Sequence, residues 1–416
     1  MKLYKSGFIR NGITVLIGNA GSKGLIYFTN FYLASVLGAT NYGSYSYYQN
    51  SIMTLVSFAL FGLSSSANFF LARDKAQTRL ESLTYLSAIF TISTLIFFII
   101  TIVYSLWGSN LDFGIASVAY SAIVFAIIQG AMSGKKRFLT NALVNLLAAL
   151  VFFLSVITIT PKSYQTALQT FYNYRFVLFL FGSIWFLYYF RSCSFFSVLV
   201  KTVSSQKCKY IEVAKFSLPI AFSSLMVAPV IWFGNHTLIN ELNGNKELGI
   251  YSLGYQVYLI LVFIPGVLSN LYLSYLSGQK ADSSFIRILF TSLLINIISV
   301  ALVSLFIHFM LLVFLTDKSS DYIYLKDYVS YFYLSALIYS INSVVGQKYI
   351  AKGKTLYSLL FNVTWGLSFL VLVKILVPVY KGEGLAMALF YSYCVQFLVQ
   401  TFTLSLNKYT KIKSIG

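Results

Sequence analysis

Runs of predominantly apolar residues follow one another through almost the whole of this 416-residue chain, and that pattern limits its fold more than any other feature. A helix needs about 20 such residues to cross the hydrocarbon core of a bilayer. Twelve candidates fall at roughly 11–34, 44–71, 83–106, 113–133, 139–159, 172–190, 216–239, 250–276, 285–315, 328–350, 356–377 and 384–406. The chain is 58% hydrophobic and only 10% charged. A soluble domain carries about 25% charged residues, so the expected solvent is lipid. The first apolar run follows Lys2, Lys5 and Arg10 with no small-residue cleavage site, which reads as a retained helix rather than a signal peptide.

The net charge of +19 would suit nucleic acid, but its placement argues against that partner. With the N-terminus inside, 22 of the 30 Lys and Arg fall on inner segments and 6 on outer ones. By the positive-inside rule this predicts a multi-pass membrane protein with both termini cytoplasmic. The three cysteines, Cys193, Cys208 and Cys394, lack metal-type spacing and read as unpaired thiols.

The chain also repeats itself. Gly38-Ala39-Thr40-Asn41-Tyr42-Gly43-Ser44-Tyr45-Ser46 returns 206 positions later as Gly244-Asn245-Lys246-Glu247-Leu248-Gly249-Ile250-Tyr251-Ser252. Each copy reads as a turn between two apolar segments. Ser133-Gly134-Lys135 and Lys352-Gly353-Lys354 echo each other at an offset of 219. An even number of helices per half makes the repeats parallel, with a substrate site expected at their interface. The expected fold is an all-α membrane protein of twelve transmembrane helices in two parallel six-helix repeats. The expected domains are 1–195 (helices one to six), a basic cytoplasmic linker at 196–215, and 216–416 (helices seven to twelve).

Polar residues inside apolar spans are costly and mark cavities or packed interfaces. Helix one carries Asn19, Lys23, Tyr27 and Asn30 at a spacing that keeps them on one face. Lys23 falls near the middle of its span, where a cation can meet an anionic substrate group; structural hydrogen bonding is the alternative. Helix two carries Asn50, Thr54, Ser57, Ser64 and Asn68, a stripe that suits either a cavity or small-residue helix packing. At the repeat offset Lys23 falls on Pro229, Asn30 on His236 and Asn50 on Gln256. Pro229 and Pro265 are candidate hinges, because a mid-helix proline loses a hydrogen bond and bends the helix; a static kink is the alternative. Arg10, Arg73, Lys215 and Lys280 mark the inner ends of helices one, two, seven and eight. They form a candidate phosphate-binding mouth, though positive-inside topology alone also accounts for them. Lys374 suits snorkelling from an outer helix end, and Arg175 divides between snorkelling and substrate contact. His308 is the candidate for proton coupling, with a hydrogen-bonded structural histidine the stronger reading. No carboxylate falls in the middle of a span, and neither a Walker A sequence nor a Cys/His metal cluster is present. The chain therefore does not read as an enzyme, and no cofactor or metal is expected.

Two six-helix halves, the Gly-x4-Gly-x-Tyr-Ser segment after helices one and seven, and Gly382-Glu383-Gly384-Leu385-Ala386-Met387-Ala388 before helix twelve resemble one group of transporters. That group is the multidrug/oligosaccharidyl-lipid/polysaccharide exporter superfamily, and within it the chain is most similar to O-antigen flippases of the Wzx type. The resemblance implies a V-shaped pair of bundles with a cavity lined by helices one, two, seven and eight. It implies undecaprenyl-pyrophosphate-linked oligosaccharide as the substrate, moved from the cytoplasmic to the periplasmic leaflet by alternating access during lipopolysaccharide biosynthesis. Lys23 would match the intramembrane cation of these flippases. Membrane lipids and other polysaccharide-assembly proteins are the further partners implied. The lack of mid-membrane carboxylates departs from the drug exporters of the superfamily. A multidrug or metabolite exporter remains the alternative within transport, and a membrane polysaccharide polymerase the alternative among enzymes.

Overall fold

In a computed structural model of the chain, the apolar runs are helical. The backbone is described for residues 2–72, 79–106, 113–191, 207–277, 281–314, 320–352 and 354–413, with side chains over narrower stretches beginning at residue 18. Twelve α helices stand among the described residues. They are α1 Lys2–Leu60, α2 Leu63–Ala72, α3 Arg79–Leu106, α4 Phe113–Gly134, α5 Phe138–Ile159 and α6 Tyr164–Tyr189. They continue as α7 Lys207–Leu225, α8 Ala228–Ile239, α9 Gly244–Ser277, α10 Ala281–Phe314, α11 Leu325–Ala351 and α12 Thr355–Lys413. A 3-10 turn, Ser320–Tyr324, precedes α11.

Several helices keep apolar side chains on their exposed face as well as their packed one. On α5, Leu139, Leu143, Leu147, Leu150 and Leu154 form an exposed stripe at helical spacing. Leu367, Val371, Ile375 and Val379 do the same on α12. In water such stripes would carry a hydrophobic penalty of about 25 cal/mol per Å²; against lipid tails they carry none. Among the described residues, five helices are long and apolar enough to cross a membrane, and a sixth counts if the bent pair α1–α2 forms one span.

These helices do not map one to one onto the twelve expected spans. Spans one and two run together as α1, with one non-helical residue between them, Gly38 (φ 71°, ψ 167°). Only glycine enters that left-handed region freely. The repeated segment is therefore not a turn: residues 39–46 are already helical, and in the second copy the helix starts at Gly244. Span two breaks at Phe61 and Gly62, both at positive φ, and α2 leaves at 48° to α1. Span seven also breaks, between Leu225 and Ala228. Pro229 thus occupies the first turn of a new helix instead of bending a continuous one, a position where its missing N–H would be unpaired anyway. Spans eleven and twelve join as α12 across a kink at Lys381 (φ 50°, ψ −124°).

Contacts group the chain into two compact units. The first comprises Met1–Thr29 and Tyr48–Ala228. In it α2 packs on α4, α4 and α5 pack on α6, and α3 lies against α2, α4 and α7. Gly62 lets this packing tighten: a Cβ there would stand 2.9 Å from the carbonyl oxygen of Ser217 on α7. Phe69 stacks on Phe216 with ring centroids 4.2 Å apart. Tyr85 donates to Glu212 at 3.1 Å, and the Lys209 ammonium donates to Thr84 at 2.8 Å.

The second unit comprises Asn30–Tyr47 and Pro229–Gly416. Here α9 packs on α10, α11 and α12. The repeated segments meet inside this unit in a reciprocal contact. A Cβ on Gly43 would overlap the carbonyl of Asn245, and one on Gly249 would overlap the carbonyl of Ala39. Gly249 is the repeat counterpart of Gly43, and Asn245 that of Ala39. Ser44 donates to the Asn245 side chain at 3.1 Å, and the Tyr47 hydroxyl is hydrogen-bonded to His236 Nδ1 at 2.9 Å.

Candidate functional site

In the first unit, α2, α4 and α5 line an open cavity of about 350 Å³. Its lining is Ser64, Ser65, Asn68, Gln129, Gly130, Ser133, Phe138, Asn141 and Ala142. The helices come together through glycines one turn apart on α4. A Cβ on Gly134 would stand 2.7 Å from the Asn68 carbonyl oxygen, and one on Gly130 would overlap that of Ser64. Ser64 secures the approach by donating to the carbonyl of Ala126 at 2.8 Å. A tight turn with Lys136 at φ 57° leads from α4 to α5 and brings Phe138 to the cavity. Gly18 of α1 packs on Ala142 from another side.

The lining mixes polar and apolar residues, its described side chains are uncharged, and their hydrogen bonds fix what they can offer a ligand. Asn141 Oδ1 accepts from Gln129 Nε2 at 3.2 Å and from Asn145 Nδ2 at 2.9 Å, which leaves the Asn141 amide nitrogen as a donor. Gln129 keeps its carbonyl oxygen as an acceptor. Ser64 and Ser133 donate their protons to main-chain carbonyls and keep oxygen lone pairs. Asn68 and Ser65 are exposed and make no hydrogen bond among the described residues. The adjoining turn is basic. Lys135 is half-buried, which pushes the pKa of its ammonium below the ordinary value, and Lys136 and Arg137 are exposed.

Of the candidate cavity residues singled out from the sequence, Ser64 and Asn68 line this cavity. Lys23 is exposed on α1, Tyr27 half-buried and Asn30 buried, its Oδ1 without a hydrogen-bond partner among the described residues. Asn50 and Ser57 are half-buried on α1; Ser57 back-bonds to the Thr54 carbonyl at 2.9 Å. The break at Phe61–Gly62 separates the upper part of the helix-two stripe from Ser64 and Asn68, so the stripe is not one continuous face. Gln256 is half-buried on α9, Lys215 is exposed on α7, and Pro265 is buried inside α9. Arg175 is half-buried, with Nη2 2.9 Å from Met53 Sδ and its guanidinium 5.0 Å from the Phe171 ring. The side chains of Asn19, Arg10, Arg73, Lys280 and His308 lie outside the described residues.

Gln129, Asn141 and Asn145 are not among the residues that the sequence singles out, and Ser133 enters there only as part of a repeat. Gln129 and Ser133 stand four apart on α4, and Asn141 and Asn145 four apart on α5. That is the spacing that drew attention to helices one and two, so the signal was present. A buried amide network in the second unit is not singled out there either. Asn342 Nδ2 donates to the Tyr393 carbonyl at 3.1 Å and to Gln396 Oε1 at 3.0 Å. Gln396 donates on to the Phe361 carbonyl at 3.2 Å, and Gln400 to the Asn342 carbonyl at 3.3 Å. The hydroxyls of Tyr258 and Tyr393 lie 2.6 Å apart beside it. This network joins α9, α11 and α12. Among the described residues no cluster of three or more His, Cys, Asp or Glu side chains could hold a metal ion.

A family model described as polysaccharide biosynthesis protein matches residues 8–272. No curated protein sequence matches the chain. Among solved structures, the fold is similar to the inward-facing conformation of a multidrug resistance MATE family transporter of the MOP superfamily, with TM-score 0.73 and 13% identity over 96% of this chain and 99% of that one. It is also similar to the lipid II flippase MurJ in an inward closed conformation, with TM-score 0.69 and 17% identity over 94% of this chain and 87% of that one. A third, a MOP superfamily transporter from Pyrococcus furiosus, gives TM-score 0.62 and 16% identity over 96% of each chain.

Proposed function

The chain belongs to the polysaccharide biosynthesis protein family, and from that premise we propose that it is a flippase for lipid-linked oligosaccharide. The observation that carries this reading is the pairing of that family with a transporter fold shared with a lipid II flippase. The substrate is an undecaprenyl-pyrophosphate-linked repeat unit, of O-antigen type, moved from the cytoplasmic to the periplasmic leaflet of the inner membrane. In this reading the chain crosses the membrane twelve times as two parallel six-helix repeats, with domains at 1–195 and 216–416 joined by the basic linker, around a V-shaped cavity.

The pyrophosphate is drawn in by Arg10, Arg73, Lys215 and Lys280 and meets Lys23 in the membrane, where low dielectric strengthens charge attraction. Asn19, Tyr27, Asn30, Asn50, Ser57, Asn68 and Gln256 give the glycan hydrogen-bonding surface. Motion is proposed at the breaks near Gly62 and Pro229 and at Pro265, with His308 a candidate for coupling. The test is complementation of a polysaccharide-deficient strain with Lys23→Ala and Lys23→Arg at equal expression. The arginine form should restore surface polysaccharide and the alanine form should fall by about tenfold or more, the loss of a charge-assisted contact. Full activity of the alanine form would remove the charge from the mechanism.

The similarity to multidrug transporters favours a second reading, export of a drug or metabolite. Deletion should then sensitise cells to cationic compounds and leave surface polysaccharide intact.

A further inference from the structure

The cavity between α2, α4 and α5 is built for a ligand that the helix-one cation does not explain. Its volume of about 350 Å³ falls at the lower end of the range of small-molecule sites, roughly 300–1,000 Å³. Its free groups are one amide donor from Asn141, the whole amide of Asn68, the Ser65 hydroxyl, and acceptor oxygens on Gln129, Ser64 and Ser133. Phe138 adds an aromatic face, which suits the C–H face of a sugar ring. This is the mixed donor and acceptor set that hydroxyl and acetamido groups satisfy. Among the described residues no charged side chain stands in the lining to offset the desolvation of a carboxylate.

We infer that this cavity is a subsite within the first unit for one neutral sugar of the transported glycan, selective against acidic sugars. The inference rests on the flippase reading and names a site and a selectivity that the reading leaves open. The neighbouring turn supports it. Lys135, Lys136 and Arg137 lie between two lining residues, Ser133 and Phe138, in sequence. Cations therefore stand a few residues from a bound sugar, as a sugar joined to a diphosphate requires.

The experiment uses the purified full chain in lipid nanodiscs and three probes. They are undecaprenyl diphosphate alone, the same lipid carrying one neutral N-acetylhexosamine, and the same lipid carrying one hexuronic acid. Asn68→Leu removes an amide that makes no hydrogen bond among the described residues, and Ser65→Trp fills the space from an exposed position, so neither disturbs a hydrogen bond among those residues. Wild type should bind the neutral glycolipid about tenfold more tightly than either other probe, and both variants should lose that preference while binding the sugar-free lipid as wild type does. Variants that bind the neutral glycolipid as well as wild type, or equal binding of the neutral and acidic glycolipids by wild type, would overturn the inference and leave the flippase reading standing. Failure of wild type to bind any of the three lipids would overturn the flippase reading and this inference together.

Discussion

Asn342 shows what a single polar residue does in such a chain. Its amide hydrogens go to α12 at two points, and its main-chain oxygen receives Gln400. In an apolar surrounding an unmet polar group costs several kcal/mol. The donors of Asn342 and Gln396 are met across α11 and α12, while Asn342 Oδ1 and Gln400 Oε1 have no hydrogen-bond partner among the described residues. Interhelical hydrogen bonds in membranes contribute about 0.6 kcal/mol on average and about 1.7 at most. Asn342→Leu should therefore lower stability by about 1–2 kcal/mol, read as a lower midpoint of thermal unfolding in detergent, with transport by the surviving protein unchanged. Loss of transport at unchanged stability would instead make the network part of the translocation path. The sequence does not announce this role. Asn342 and Gln396 lie 54 residues apart on the consecutive helices α11 and α12, and only packing shows that they meet.

At the scale of elements, the repeat was legible but its physical meaning was not. Gly43 and Gly249 look like turn residues, because glycine beside polar residues between apolar runs usually marks a turn. They are helical residues whose missing side chains let two backbones touch in a reciprocal contact. The turn needs only Gly38, and its counterpart Gly244 opens α9. Overpacking costs about 1–3 kcal/mol, so Gly43→Val and Gly249→Val should each lower the unfolding midpoint. Their effects should be less than additive in the double variant, since both open the same contact. Pro229 and Pro265 separate in the same way. Pro265 lies inside α9, so Pro265→Ala should restore a helical hydrogen bond and stiffen the helix, slowing transport. Pro229 stands in the first turn of α8, so Pro229→Ala should leave stability within about 0.5 kcal/mol and leave the break in place. Transport assays on the two alanine variants at matched expression separate these outcomes. The helix breaks are not legible in the sequence because a lone glycine such as Gly62, or a proline such as Pro229, inside an apolar run fits a continuous or kinked helix equally well.

For the whole molecule, the apolar runs and sparse charge were enough to foresee an all-helical chain, and the repeat with its flanking motifs was enough to foresee the superfamily fold. The candidate site was harder to read. In the sequence, charge and the first two helices stand out, because an intramembrane lysine is rare and costly. The cavity is neutral and depends on α4 and α5, whose amides look unremarkable until Asn141 is seen gathering two of them. The central claim is movement of a lipid-linked glycan between leaflets. Deletion of the gene followed by leaflet-specific labelling of that glycolipid tests it most directly. The account predicts that the deletion strain accumulates lipid-linked repeat units in the cytoplasmic leaflet and that the wild-type chain restores their periplasmic labelling. Unpolymerised single units in the periplasmic leaflet of the deletion strain would contradict it.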